Sequence, residues 1–424
     1  MRLSPVFSRT GTAAAGLLAV ALAGAVPALA DGARPQASGP ESGGQYREVF
    51  YPDGHPRLVK GKPDKPTPVD HLRASGVATI QKTGPDTNRF VIVIVGDGYT
   101  SGQQGAFDKN AGQLMNTLFK VSPYKQYKKL FNIYRVNVDS SVSGVSGDPK
   151  QSVKKKTPLG MHFYCDGIQR LLCANDDAAN SYAARASSDI NEVVAIANST
   201  TYGGAGGPLT SVAGGNASAG QILPHEMGHT TGKLGDEYDY PYAKASGGPE
   251  PAYPNVTKAA AASMKKGKRK WYRWLSAKSP SGGKVGAYAG ANYYKKGFNR
   301  PTKDSIMRTL GRAFDPVGRE AMITGFWRDV NPIDSAKDNK ATVARDDTLW
   351  VKTVPVGVRV AWWVDKKYIK STVGKKSLNL TQFKLKPGAK HWVTATVKDP
   401  TGWVRNEANR TKYMYQRVTW TVRP

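Results

Sequence analysis

Two histidines four residues apart, with a glutamate beside the first, open the stretch "HEMGHTTGKLGDEYD", His225 to Asp239. On a helix, residues i and i+4 leave the same face about one turn apart, so His225 and His229 can share one metal ion. Glu226 lies next to that face, where a carboxylate can take a proton from water without ligating. Zinc-assisted hydrolysis is the chemistry this spacing serves. The bland alternative is a surface helix with His and Glu and no metal. With only six histidines in 424 residues, that alternative is the weaker one.

Such a site needs a third protein ligand. One widespread pattern puts it six residues after the second histidine, and here that position is Gly235, which has no side chain. Asp236 comes one residue later. If the helix ran on, Asp236 would share the histidine face but lie about 10 Å farther along the axis. The helix must therefore stop and the chain must fold back. Gly232 is read as the left-handed residue that ends the helix, Gly235 as a second bend, and Leu234 as an anchor between them. Asp236 is the favoured third ligand. Two alternatives stay open: the adjacent Glu237, and Glu250 in "GGPEPAYP", a stretch too proline-rich for a helix. The expected centre is one Zn2+ on His225, His229 and Asp236, with Glu226 as general base. An aspartate in place of a third histidine makes the zinc a slightly weaker Lewis acid and gives Glu226 more weight. Tyr238 and Tyr294 are candidates for oxyanion support. Asp97 reads as a turn-forming aspartate at a strand end.

The elements that position these residues follow an α/β order. "RFVIVIVGDGYT", from Arg89, holds six apolar residues, Phe90 to Val95, without alternation, so its strand should be buried on both faces. "QGAFDKNAGQLMNTLF" has helical spacing, and "FNIYRVNV" and Val193 to Ala197 read as strands. "YGGAGGPLTSVAGG" reads as an exposed edge strand that can pair with an extended peptide, or as a flexible loop. This order predicts a mixed, mainly parallel sheet. From about Asp338 the pattern turns to short β-type runs, "TLWVKTV", "VRVAWWVD", "KSLNLTQF", "KHWVTATVKD" and "QRVTWTV". They fit an immunoglobulin-like β-sandwich with Trp362 or Trp363 in its core. The expected organisation is a signal peptide over 1–30, a disordered mature N-terminus over 31–44 and a small β-rich region over 45–80. A catalytic domain over 81–335 and the sandwich over 338–424 complete it.

Whole-chain properties bound the setting. Arg2 and Arg9 precede the apolar run "GTAAAGLLAVALAGAV", and Ala28 and Ala30 satisfy the small-residue rule for cleavage, so the mature chain should begin near Asp31. The run is too short to span a membrane comfortably, and secretion without a membrane span is expected. The chain carries 61 basic against 32 acidic residues, a formal charge of +29. For an exported protein this points to an acidic cell-wall polymer or anionic surface as partner and away from nucleic acid. "KKGKRKWYRW", Lys265 to Trp274, is the local peak; it reads as a polyanion-binding stretch or as a solvated helix face with buried tryptophans. Cys165 and Cys173 are the two cysteines. In an oxidising compartment they are expected to bridge across a turn at Asp166-Gly167.

Taken together, "HEMGHTTGKLGDEY" resembles the signature of the bacterial IgA-peptidase family of secreted zinc metallopeptidases. "IVGDGYT" (Ile94 to Thr100) and "YCDGIQRLLC" resemble further segments of that family. So do "GFNRP" with "SIMR" (Gly297 to Arg308) and "FDPVGREAM". The resemblance covers roughly residues 45 to 330. It implies a zincin-like fold, His, His and Asp ligands at this spacing, and Met307 in a turn beneath the metal. Asp315 and Gly318 depart from the family at positions where relatives often carry cysteines. The leading expectation is a secreted zinc endopeptidase acting on protein or peptide substrates. The alternatives are a wall- or polyanion-binding protein with a structural metal, and a zinc amidase acting on cell-wall peptides. The resemblance is not specific for immunoglobulin as substrate.

Overall fold

The computed structural model describes residues 46–50, 55–60, 74–206, 208–240 and 248–423. The expected signal peptide, the 31–44 tail and much of the 45–80 region lie outside the described residues. Strands β1 (Tyr46–Phe50) and β2 (Pro56–Lys60) form an antiparallel pair.

The main sheet uses β3 (Ala74–Gln81), β4 (Phe90–Asp97), β5 (Phe131–Val138), β6 (Glu192–Ala197), β7 (Gly204–Ala205) and β8 (Thr210–Ala213). Their spatial order is β3-β5-β4-β6-β8-β7. The pairings among β5, β4, β6 and β8 are parallel, and the two outer pairings, β3 with β5 and β7 with β8, are antiparallel. The sheet is thus mixed and mainly parallel. β4 is buried along its whole length. Phe90, Ile92 and Ile94 enter one apolar cluster and Val91, Val93 and Val95 another. The unbroken apolar run in the sequence is the signature of this two-sided burial.

Helix α1 (Gln104–Leu118) follows β4; α2 (Tyr124–Tyr127) is a single turn; α3 (Asp176–Ala183) packs on the opposite face. Helix α4 (Ala219–Thr230) carries the two histidines. It packs beside α1 and contributes Ile222, Leu223 and Met227 to the first cluster. α5 (Ala261–Gly267) and the hairpin β9 (Tyr288–Ala291) and β10 (Tyr294–Arg300) precede α6 (Pro316–Asp329). Asp315 caps α6 by accepting from the Val317 and Gly318 amides at 2.9 and 2.8 Å, and Pro316 occupies the first turn where its missing N–H is harmless.

One expectation changes. "YGGAGGPLTSVAGG" is not one edge strand. Its second half, β8, is an inner strand parallel to β6, and the two-residue β7 turns back beyond it. The outward side of β7 is itself bridged, Gly204 N donating to the Arg170 carbonyl at 3.3 Å. For "KKGKRKWYRW" the reading with buried tryptophans holds. Trp271 and Trp274 are buried, Trp274 donates to Glu320, and the Arg405 guanidinium covers its ring at 3.9 Å. The Cys165–Cys173 disulfide is present, with Cα atoms 5.8 Å apart across the expected turn.

The C-terminal part contains β11 (Ile333–Ala336), β12 (Thr348–Thr353), β13 (Arg359–Val364), β14 (Lys367–Ile369), β15 (Ser377–Asn379), β16 (His391–Lys398), α7 (Glu407–Tyr413) and β17 (Tyr415–Val422). They make a three-stranded sheet, β11-β12-β15, and a four-stranded one, β14-β13-β16-β17, both antiparallel. Both sheets contribute to one apolar cluster, in which Trp362 stacks on Trp420 at 5.7 Å. Trp362, not Trp363, is the core tryptophan.

Candidate metal centre

α4 brings His225 and His229 to one face, as their spacing requires, with rings 4.9 Å apart. Each ring is fixed from behind. His225 Nδ1 meets the Ile306 carbonyl at 2.9 Å, and His229 Nδ1 meets the Leu234 carbonyl at 2.8 Å. A carbonyl can only accept, so both Nδ1 atoms carry the proton and both Nε2 atoms present a lone pair. The two Nε2 atoms lie 3.2 Å apart.

The helix then stops and the chain folds back, but not by the expected device. Gly232 does not take the left-handed conformation; Lys233 does, at φ 53°. The Leu234 amide closes the turn by donating to the Gly228 carbonyl at 3.0 Å. The glycines serve close packing instead. A Cβ on Gly232 would stand 2.7 Å from Met322 Sδ, and one on Gly235 would stand 2.7 Å from the Tyr253 ring. Beneath the helix, Met307 packs against Gly228.

This turn delivers Asp236. Its Oδ1 stands 3.5 Å from His225 Nε2 and 3.2 Å from His229 Nε2. With the 3.2 Å separation of the two nitrogens, the three donor atoms form a nearly equilateral triangle. A tetrahedron with arms of about 2.1 Å, the length of Zn–N and Zn–O bonds, has edges of about 3.4 Å. The triangle therefore matches one face of such a tetrahedron. Asp236 Oδ1 is buried and has no hydrogen-bond donor among the described residues. Three lone-pair atoms packed this closely repel one another unless a cation sits among them. Electrostatics make the same point. Burial alone would lower the His229 pKa, yet the attraction of Asp236 outweighs it and pushes it up to about 9. Asp236 is held well below the usual carboxylate range: burial opposes this, and the charge on His229 overrides it. Without a metal, a proton on His229 is the cation; the donor set fits a metal ion in that place.

The other oxygen of Asp236 is fixed by a residue the sequence reading did not single out. Tyr293 donates to Oδ2 at 2.7 Å. Tyr293 and Asn292 form the two-residue turn between β9 and β10, both with positive φ, at 75° and 49°. That conformation is unfavourable for a tyrosine. Backbone bonds hold it there, Tyr293 N to the Tyr238 carbonyl at 3.1 Å and Asn292 N to the Asp236 carbonyl at 2.9 Å. The sequence signal was faint: an asparagine between two short β-type runs.

Glu237 and Glu250 are occupied elsewhere. The Glu237 carboxylate accepts from Asn255 Nδ2 at 2.9 Å and Ser305 Oγ at 2.7 Å. Burial, then the nearby Asp315, pushes its pKa up to about 8. Glu250 bonds Thr257 and the Lys258 amide at 2.5 and 2.9 Å. Among the described residues, His225, His229 and Asp236 are the group able to hold a metal ion. Asp97 is a fastening point: it accepts from Thr157 Oγ1, Leu159 N and Met161 N at 2.7 to 2.9 Å. Of the two tyrosines first considered, Tyr238 is buried in a ring cluster with Tyr240 and Tyr293, and Tyr294 packs against it.

Glu226, next to His225, is buried beside the sheet edge. A Cβ on Gly206, the residue after β7, would lie 1.7 Å from Glu226 Oε2, so the edge backbone passes directly over this carboxylate. Glu226 is also close enough to raise the His229 pKa. The arrangement puts a carboxylate beside a cation-binding triangle and under the backbone that follows β7. The sequence model of the family described as IgA Peptidase M64 matches residues 78–282 and 277–326, more than half of the 424-residue chain. A search of curated proteins returns no match.

Proposed function

The chain belongs to the IgA peptidase M64 family, and is thus a peptidase; on that premise we propose that it is a secreted, zinc-dependent endopeptidase with Glu226 as general base. The triangle of His225 Nε2, His229 Nε2 and Asp236 Oδ1, with edges of 3.2 to 3.5 Å, carries the reading. These three residues would hold the ion. Zinc bound there supplies Lewis acidity toward the scissile carbonyl and lowers the pKa of a water.

The chain's own groups do the rest. Tyr293 and the Ile306 and Leu234 carbonyls orient the three ligands. Glu226 takes a proton from the attacking water and hands it to the leaving amine. The backbone after β7, at Gly206, passes over the Glu226 carboxylate and walls one side of the site. A carboxylate beside the donor triangle that is not one of its members favours catalysis over a purely structural metal, because a structural site has no use for it.

The proposal extends to architecture and location: a zincin-like domain over 81–335, an immunoglobulin-like sandwich over 338–424, and export directed by residues 1–30. The test uses the purified mature chain on a peptide library read by mass spectrometry. Cleavage should vanish on chelation and return with zinc. Glu226→Gln should keep its zinc and lose about 10²–10⁴-fold in rate. Wild-type cleavage by Glu226→Gln would overturn the mechanism.

A further inference from the structure

A strand face turned to water ordinarily carries polar side chains. The outer face of β14-β13-β16-β17 carries rings instead. Tyr368, Trp392 and Tyr415 are exposed and Trp363 is half-buried there. They alternate with an inward row that includes Trp362, Val393 and Trp420. Cross-strand pairing fixes the layout. Trp363 stands opposite Tyr368 on one side and Thr394 on the other, and Thr394 stands opposite Thr419. Trp392, two residues before Thr394, is therefore the diagonal neighbour of Trp363. The Trp363 and Tyr368 rings are 5.1 Å apart, and Trp392 is 47 % exposed.

Trp363, Trp392 and Tyr415 line an open groove of about 570 Å³. Lys366 and Arg417 also line it, with the hydroxyls of Thr394, Thr396 and Thr419, and no carboxylate does. The carboxylate on the adjoining turn, Asp365, is engaged by His391 Nδ1 at 2.6 Å and the Trp392 amide at 2.9 Å. The surface thus combines flat apolar rings, hydroxyls and cations, with the Lys390 ammonium 5.6 Å from the centre of the Trp392 ring beside Lys366 and Arg417.

We propose that this face binds an acidic polysaccharide. The C–H faces of its sugar rings stack on Trp392 and Trp363, and its carboxylates pair with Lys366 and Arg417. The ring faces suit the flat apolar side of a pyranose, the threonines suit its hydroxyls, and the cations suit a chain whose acid groups are spaced between neutral oxygens. A single-stranded nucleic acid carries a phosphate on every residue and is held mainly by cations that track its backbone. Cations set singly among stacked rings and three hydroxyls, rather than in a continuous track, match the sparser charge of a glycan.

The experiment is calorimetric titration of the full mature chain with polygalacturonate, dextran and poly-L-glutamate at one ionic strength. Because the protein is strongly basic, the decisive comparison is between variants of equal charge. Trp392→Ala should bind polygalacturonate about tenfold more weakly, the loss of one stacked ring, with poly-L-glutamate binding and the melting temperature unchanged. Lys366→Gln with Arg417→Gln should also weaken polygalacturonate binding. Trp363→Ala should repeat the result; should its half-buried ring prove needed for folding, Trp392→Ala decides alone. Polygalacturonate binding unaltered by Trp392→Ala would mean bulk charge attraction and overturn the proposal. Dextran bound as tightly as polygalacturonate would overturn its acidic half. Self-association in sedimentation that Trp392→Ala abolishes would assign the face to a second copy of the chain and overturn it too.

Discussion

Two buried aspartates sit in two turns of this molecule, and they differ in one respect. Asp97 ends β4, and its two oxygens accept three hydrogen bonds from the 157–161 loop. Asp236 follows α4, and only Oδ2 accepts one, from Tyr293; Oδ1 faces two imidazole nitrogens. A buried carboxylate with all its partners is a fastening. One with an oxygen left over is a site awaiting a cation. Burial alone cannot tell them apart, since both are almost completely enclosed.

The comparison breaks most sharply at the metal. Asp236→Ala should drop zinc content well below one ion per chain and take activity with it, as read by elemental analysis after dialysis. Asp97→Asn should keep its zinc. If the two variants lose zinc alike, the distinction fails. Next comes Tyr293→Phe, which removes the bond to Oδ2 while leaving the ring. Zinc affinity should fall about 10–100-fold, measured by competition with a chromogenic chelator, while Glu237→Gln leaves it unchanged. A Glu237→Gln variant that loses zinc would transfer the ligand role to Glu237. For Asp97→Asn the loss should be in folding stability, about 1–3 kcal/mol from mismatched donors, seen in denaturant midpoints.

The smallest effect is a pH dependence that sharpens the same contrast. Burial pushes the Asp97 carboxyl from 3.8 up to about 6, against the pull of its donors. The folded state therefore holds this proton more tightly than the unfolded one. The stability that goes with it is complete below about pH 4 and is lost as pH rises through about 6. The gap in melting temperature between wild type and Asp97→Asn should accordingly narrow from pH 4 to pH 7 in chelated samples. A gap that widens would reverse the assignment.

What the sequence disclosed about the site follows the same division. The two histidines and the glutamate lie within one helical turn, where spacing alone dictates geometry. Asp236 was reachable because a continued helix could not bring it near the histidines. The supporting groups were not reachable: Tyr293, Ile306, Ser305 and Asn255 come from segments far along the chain, brought in by the hairpin and by backbone bonds that no local pattern encodes. Gly232 and Gly235 misled for a related reason. Glycine serves both left-handed turns and close contact, and here the contact is tertiary while Lys233 takes the turn. In the fold, the unbroken apolar run of β4 and the alternating C-terminal runs announced strands by composition. β7, β11 and β14 are two to four residues long and lack enough pattern to be seen before their partners are known.

The pairing of β7 has a consequence for how the ground beside Glu226 is held. The outward amide of Gly204 donates to the Arg170 carbonyl at 3.3 Å, inside the loop that the Cys165–Cys173 disulfide closes. A two-residue strand has few bonds of its own, and each contributes only about 1 kcal/mol net. β7 therefore keeps its place through its neighbours, β8 on one side and a loop tied at its own ends on the other. The covalent bridge and the backbone that passes over the Glu226 carboxylate belong to one mechanical unit.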